Sequence, residues 1–171
     1  MGGLRVFLDQ YIGECAEPIP GGGCEQRAQS FRKAAQGKRF YLQISEELAT
    51  MLGPGNFDAA ASRHSISVTP FFSAGGYALS QGAPKKTDAQ GNPILPLIFA
   101  EGDTPAEWSE GRFQRLFGSR ELRIEVVVIP QGLWALPKRG GGKILGVKAK
   151  LEGIRITGRG GVPVGFWFAA K

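Results

Sequence analysis

The stretch that decides the fold is GVKAKLEGIRI, residues 146–156. Apolar and polar residues alternate along it, which is typical of a strand with one buried face. The large apolar residues are the odd-numbered ones before Gly153 and the even-numbered ones after it. Such a shift of phase at a glycine inside a strand indicates a bulge or a sharp bend. Because small closed barrels need bends of this kind at their corners, the stretch favours a β-barrel.

A second strand precedes this one and completes a hairpin. Residues 122–128 place leucine, isoleucine and valine on one face, with Arg123 and Glu125 on the other. Residues 132–136 continue as a strand or hairpin arm around Trp134, and the basic, glycine-rich loop KRGGGK follows at residues 138–143. The pattern therefore predicts a long β-hairpin that carries a basic loop.

The rest of the chain adds strands and short helices to this hairpin. Further strands are predicted at Leu4–Leu8, Arg39–Ile44 and Ser65–Phe72, with a last one at Phe166–Phe168 packed on the barrel. Helices are predicted near residues 25–35, 45–52 and 104–117, and an exposed loop at residues 81–96. Glycine and proline are abundant, at 26 and 11 residues, so strands and turns should dominate. We expect a mainly β single domain over residues 1–171, an OB-like small β-barrel with short helical insertions.

Length and composition bound the class of protein. A chain of 171 residues, 42% of them hydrophobic, folds without a metal or disulfides. It has no apolar run near the roughly 20 residues of a membrane span and no secretory leader at Met1, so we expect a cytoplasmic protein, including one that acts in the host cell of a phage. Cys15 and Cys24 are the only cysteines. We favour two free thiols over a disulfide between them.

Positive charge is concentrated in the last third of the chain. The net charge is +6 overall, but residues 110–171 hold twelve lysines and arginines against four acidic residues. Residues 1–109 hold nine lysines and arginines against eleven acidic residues. This asymmetry favours a polyanionic partner, most often nucleic acid and sometimes a membrane surface.

The sequence offers little that supports catalysis. His64 is the only histidine, and it is best interpreted as a polar residue at a strand edge. The GGGK stretch at residues 140–143 lacks the spacing and the following serine or threonine of a phosphate-binding loop. Neither a dinucleotide fingerprint nor a carboxylate cluster for metal-assisted hydrolysis is present. We therefore expect no enzyme activity, no metal and no cofactor.

Basic and aromatic residues instead suggest a groove for single-stranded nucleic acid, in which cations follow the backbone and bases stack on rings. The predicted groove residues are Arg39, Tyr41, Trp134, Lys138, Arg139, Lys143, Lys148, Lys150 and Arg155. Phe40 and Tyr41 are adjacent, so one of these two rings must face away from the core unless both faces of the strand are covered. The alternative is also open, because Lys148 and Lys150 suit an ordinary solvated strand face and Trp134 suits a core.

The hairpin also resembles a known family. The strand RELRIEVVVIP at residues 120–130, a glycine-containing loop, and GVKAKLEGIRI resemble the end of phage-type single-stranded-DNA-binding proteins. The match covers about 40 residues, from Ser119 to Thr157. The resemblance implies an OB-fold encoded by a phage or mobile element. Such proteins commonly end in an acidic tail, whereas this chain has no acidic residue after Glu152.

We therefore expect sequence-independent binding of single-stranded DNA, in support of replication or recombination of a phage or mobile element. The preference for DNA over RNA is left open. Homo-oligomers and replication or recombination proteins are the expected protein partners, and no membrane is expected. The alternative is a structural or assembly protein of a virus or mobile element, whose basic face contacts nucleic acid or an acidic partner.

Overall fold

The chain is mainly β, as predicted. The structure, a computed structural model, describes residues 2–13, 23–44, 52–86, 88–90, 94–103, 115, 122–137 and 141–171. The helices are α1 (Leu4–Ile12) and α2 (Gly23–Ala35). The strands are β1 (Gly2–Gly3), β2 (Phe40–Ile44), β3 (Leu52–Asp58), β4 (Arg63–Val68), β5 (Phe71–Ala74), β6 (Tyr77–Ser80), β7 (Ile98–Asp103), β8 (Arg123–Pro137), β9 (Lys143–Thr157) and β10 (Pro163–Phe168).

These strands form one sheet in the order β1-β2-β8-β9-β10-β7-β4-β3. The β5–β6 hairpin joins it from the side, because β6 pairs in parallel with residues 145–148 of β9. Within the described residues no pairing links β1 to β3, so the sheet is open rather than closed. The predicted hairpin is its centre, with β8 and β9 paired from Arg123–Thr157 to Pro137–Lys143.

The predicted bulge in the second hairpin strand is confirmed. Val127 pairs with Gly153, but its neighbour Val128 pairs with Leu151, which leaves Glu152 as the extra residue of β9. Strand β8 lies on one side of β9 throughout, but the strand on the other side of β9 changes at this point. Before the bulge it pairs with β6, and from Gly153 onward it pairs with β10. The glycine therefore marks the place where the sheet bends and forks.

One face of the sheet is buried under α1. The alternating apolar residues of β2, β8 and β9 form the core on this side, with Ile44, Ile124 and Ile156 fully buried. Helix α1 packs Leu4, Phe7, Leu8, Tyr11 and Ile12 into the same core. Helix α2 lies behind α1, with the Phe31 ring 6.2 Å from that of Phe7. The opposite face of the sheet is thereby left without a covering helix among the described residues.

Two of the predicted strands differ from the structure. Residues 4–8 belong to helix α1, since Leu4, Phe7, Leu8 and Tyr11 recur at helical spacing and bury one side. The predicted strand Ser65–Phe72 is two strands, β4 and β5, separated at Thr69 and Pro70, where proline has no N–H for a ladder.

The predicted helices have different outcomes. The helix near residues 25–35 is confirmed as α2. Residue 52, the predicted end of the second helix, instead begins strand β3, while residues 45–51 lie outside the described residues. The third helix, residues 104–117, lies outside them except for Arg115.

The cysteine prediction is also wrong. Cys24 at the start of α2 is disulfide-bonded, and Cys15 is the only other cysteine of the chain. Cys15 itself lies outside the described residues. No described helix is long and apolar enough to span a membrane.

Candidate nucleic-acid interface

The uncovered side of the sheet, which we name the open face, is built by two rows of directly paired residues. The first row is Tyr41, Val127, Gly153 and Phe168. The second row is Gln43, Glu125, Arg155, Phe166 and Glu101. Residues directly opposite each other on neighbouring strands point to the same side of a sheet, so each row shares one face.

The open face carries exposed aromatic rings. The exposed fractions are 58% for Tyr41, 42% for Phe166, 66% for Phe168 and 67% for Phe99, which lies two residues before Glu101 on β7. The rings of Phe166 and Phe168 are 5.9 Å apart, at an interplanar angle of 36°. A patch of this kind marks an interaction surface, because isolated exposed rings are common but clustered ones are not.

The adjacent aromatic pair of β2 divides between the two faces. Phe40 packs on the core side, with its ring 5.0 Å from that of Phe7 in α1. Tyr41 lies on the open face, since it pairs with Val127 and is exposed. The strand alternation therefore places Tyr41, rather than Phe40, where a ligand can reach it.

Positive side chains border the rings along β9. Lys148, Lys150 and Arg155 are exposed on the side of the sheet opposite to Ala149, Leu151 and Ile154. Arg155 Nε donates a hydrogen bond to Glu125 Oε2 at 2.6 Å. Lysine and arginine beside accessible rings provide the two groups that single-stranded nucleic acid requires, charge for phosphates and rings for bases.

Glu152, the bulge residue, binds two cations, Arg39 and Lys150. Arg39 Nε donates to Glu152 Oε2 at 2.5 Å, and Lys150 Nζ lies 3.5 Å from Glu152 Oε1. The hydrogen bond from Arg39 lowers the pKa of the Glu152 carboxyl below its ordinary value of 4.5, and Lys150 adds to this effect. The same bond raises the pKa of Arg39. Glu152 thus holds Arg39 and Lys150 at the edge of the open face and partly neutralises them.

The chain matches, over residues 1–171, a family of unknown function named DUF6066. This chain belongs to the DUF6066 family. No curated protein and no solved structure matches it. Since the family description states no activity, the resemblance of residues 119–157 to phage-type single-stranded-DNA-binding proteins stays a prediction for this DUF6066 chain.

Other predicted groove residues of the DUF6066 chain lie away from the rings. Trp134 lies seven residues along β8 from Val127, roughly 20 Å at strand spacing. Its ring is half-buried against Gly146, where a Cβ would come within 2.2 Å of it, and lies 6.0 Å from the ring of Phe71. Trp134 therefore packs as part of the hairpin rather than presenting a ring face.

The basic loop of the hairpin is described only at its end. Lys143 is exposed at the first position of β9, at the far end of the hairpin from the open face. Lys138 and Arg139 lie outside the described residues. The structure thus brings together Arg39, Tyr41, Lys150 and Arg155, with Lys148 farther along β9. It sets Trp134 and Lys143 apart from them.

Sequence reasoning missed three rings and one cation of this surface. Phe166 and Phe168 have a usable signal, because two phenylalanines spaced by two share one face of a strand, whereas Trp167 takes the core side. Phe99 has no such signal, since its place depends on pairing between distant strands, whereas strand alternation already puts Arg123 on the polar face of its strand. Among the residues that the structure describes, no group of three metal-ligating side chains occurs.

Proposed function

We propose that this DUF6066 chain binds single-stranded DNA on the open face, without regard to sequence. The observation that carries the proposal is the row of exposed rings, Tyr41 and Phe168, beside the cations of β9. Bases stack on such rings whatever their identity, because every base has a π-face. The cations Lys148, Lys150 and Arg155 neutralise phosphates and release counterions.

The balance of charge on this surface supports the proposal. Five exposed cations lie on this surface, Arg39, Arg123, Lys148, Lys150 and Arg155. Three carboxylates, Glu101, Glu125 and Glu152, lie on the same side, and Glu101 is paired with Arg63. The surface therefore keeps a positive excess, which attracts a polyanion at a rate and an affinity that fall with salt.

An open surface also suits the proposed ligand. In duplex DNA the base faces are buried in the stack, so exposed aromatic side chains cannot stack on them. The bases of a single strand are accessible and can stack on these rings. Arg39 and Tyr41 on β2 and Phe168 on β10 flank the hairpin on both sides. A strand that crosses the hairpin thus meets rings at both borders and cations between them.

The OB-like barrel is the structural part of the proposal. The bulge at Glu152 and the change of the neighbour of β9 from β6 to β10 support it, since barrels need strand irregularities of this kind at their corners. OB-folds are themselves partly open barrels. An experimental structure of the whole chain tests it: strand pairing that closes the sheet supports the barrel, and a sheet that is open in that structure rejects it.

The compartment in which the protein acts is a separate proposal. The sequence predicts the cytoplasm, but disulfides persist mainly in oxidising compartments, and Cys24 is disulfide-bonded. We therefore favour an oxidising compartment. Alkylation of free thiols in intact source cells decides between the two: protected cysteines support the oxidising compartment, and labelled cysteines support the cytoplasm.

A titration of labelled oligonucleotides tests the function. We expect tighter binding of single strands than of duplexes, similar affinity across sequences, and a steep loss of affinity as salt rises. Equal affinity for both forms, or no dependence on salt, rejects the proposal. Measuring the size of the protein without DNA distinguishes this function from the alternative, a structural or assembly protein whose basic face contacts a partner. A large closed assembly favours the structural protein.

A further inference from the structure

A cavity of about 500 Å³ lies at the end of the sheet where β8 begins and β9 ends. It is lined by Gln43, Arg123, Glu125, Arg155, Thr157 and the turn of residues 158–161. The cavity adjoins the open face, because Arg155, which lines it, is directly paired with Phe166 of the open face. A ligand on the rings therefore lies next to this cavity.

The cavity is strongly basic. Three arginines line it, Arg123, Arg155 and Arg159, against the single carboxylate of Glu125. That carboxylate is engaged by Arg155 through both Nε and Nη2. Counted by residue, the lining has a net charge of +2, which suits a phosphate group, whether a phosphodiester with one negative charge or a phosphomonoester with up to two.

The turn at one side of the cavity brings backbone close to any ligand. Gly158 N donates to Val162 O at 2.8 Å, and Gly161 N donates to Gly158 O at 3.1 Å, which fixes the turn. Gly160 and Gly161 have φ values of 70° and 80°, a region that favours glycine. Because three of the four turn residues lack a side chain, an anion can approach the backbone closely.

We propose that this cavity is a phosphate-binding subsite of the open face, with the guanidinium groups of Arg123 and Arg159 as its principal ligands. Arginine binds phosphate in bidentate fashion, and here the arginines project from two different elements, β8 and the turn. The subsite rests on the proposed function for its source of phosphate, which is either an internal phosphate of the bound strand or a terminal one.

The first experiment uses inorganic phosphate and no DNA, so it is independent of the proposed function. Amide chemical shifts are followed by NMR during titration with phosphate, against sodium chloride at matched ionic strength. We expect saturable shifts at residues 158–161. We expect R123Q and R159Q each to weaken phosphate binding about tenfold, because each variant loses a charge-assisted hydrogen bond. We expect K33Q on α2 to leave phosphate binding unchanged.

The outcomes are distinct. Shifts that do not saturate, or equal weakening by K33Q, overturn the subsite even if DNA still binds. Arg123 and Arg159 are both exposed, and the melting temperature of each variant verifies its fold; if one variant unfolds, the other carries the test.

A second experiment identifies the source of the phosphate. Oligonucleotides with a 5′-phosphate, a 3′-phosphate or neither are compared on the wild type and R123Q. Tighter binding of one phosphorylated end, abolished by R123Q, identifies a terminal phosphate. Equal weakening of all three by R123Q identifies an internal phosphate. If R123Q alters none of them, the cavity is not part of the DNA interface.

Discussion

Phe168 lies directly over Gly153, so that a Cβ at position 153 would come within 3.0 Å of Phe168 Cδ1 and 3.2 Å of its Cε1. The two residues are paired across β9 and β10. Gly153, which follows the bulge residue Glu152, therefore also provides the surface against which Phe168, the more exposed phenylalanine of β10, packs. One residue serves the fold and the proposed ligand surface.

The substitution G153V separates these two roles. Gly153 does not have a positive φ, so valine avoids left-handed strain, and the atoms nearest to its Cβ are those of the Phe168 ring, followed by Trp167 O at 3.6 Å. We expect the ring to move, stability to change by less than about 1 kcal/mol, and affinity for single-stranded DNA to fall severalfold. The measurement is a double-mutant cycle with F168A. Losses that simply add would show that Gly153 does not act through Phe168.

Removing the bulge carboxylate should strengthen binding. In E152Q, Arg39 and Lys150 lose their common anionic partner and become available for phosphates. We expect higher affinity for single-stranded DNA and a salt slope that is steeper by about one to two units, near one for each new phosphate contact. E25Q on α2, which removes an acid that pairs with Arg32 away from the face, is the matched control. Unchanged affinity in E152Q contradicts the account.

Acid should erase the difference between E152Q and the wild type. The Glu152 pKa is lowered in the folded protein, so the stabilisation from its pair with Arg39 is fully present above about 4.5 and is lost as the pH falls through the lowered value. Once Glu152 is protonated, the wild type carries the same charge as the variant. Because both proteins are measured with the same DNA at each pH, protonation of the DNA affects both affinities equally. A gap in affinity that persists below this range would argue against Glu152 as its cause.

Trp134 should affect stability rather than binding. Its half-buried ring covers Gly146, and W134A leaves that space empty. We expect a loss of roughly 2 kcal/mol in the free energy of unfolding, with little change in affinity at temperatures where the variant is folded. Y41A provides the contrast, because Tyr41 is exposed on the open face. A large affinity loss in folded W134A would restore Trp134 as a stacking ring.

The disulfide should contribute measurably to stability. Closing the short loop between Cys15 and Cys24 removes chain entropy worth about 2–3 kcal/mol from the unfolded state. We expect C24S and a reducing agent to lower the melting temperature to a similar extent, and C15S to match C24S. If reduction lowers the melting temperature of C24S as much as that of the wild type, the effect does not come from this bond.

Local patterns predicted the centre of the fold well. The phase shift at Gly153 is visible because a bulge changes which residues face the core, and it identified the bend of β9. Helix α1 was missed because residues 4–8 alone are too short to show a helical period, which becomes evident only when Tyr11 and Ile12 are included. A longer window would have corrected it.

The open face was less accessible to prediction. Its rows join residues from strands more than 100 positions apart, such as Tyr41 and Phe168, and no local pattern specifies this pairing. Phe99 becomes part of the surface only through β10 and β7. The basic residues of β9 were found because alternation alone assigns their face, whereas the rings depend on the order of strands in the sheet.

The most direct test of the central claim compares F168A with F57A in binding single-stranded DNA. Phe57 is a matched control, since it is 50% exposed but packs against buried His64, at 4.7 Å between rings, on the other side of the sheet. We expect F168A to weaken binding by about 1–3 kcal/mol, roughly fivefold to 150-fold, and F57A to leave it unchanged. Equal affinity of folded F168A and wild type would contradict the claim that the open face binds single strands.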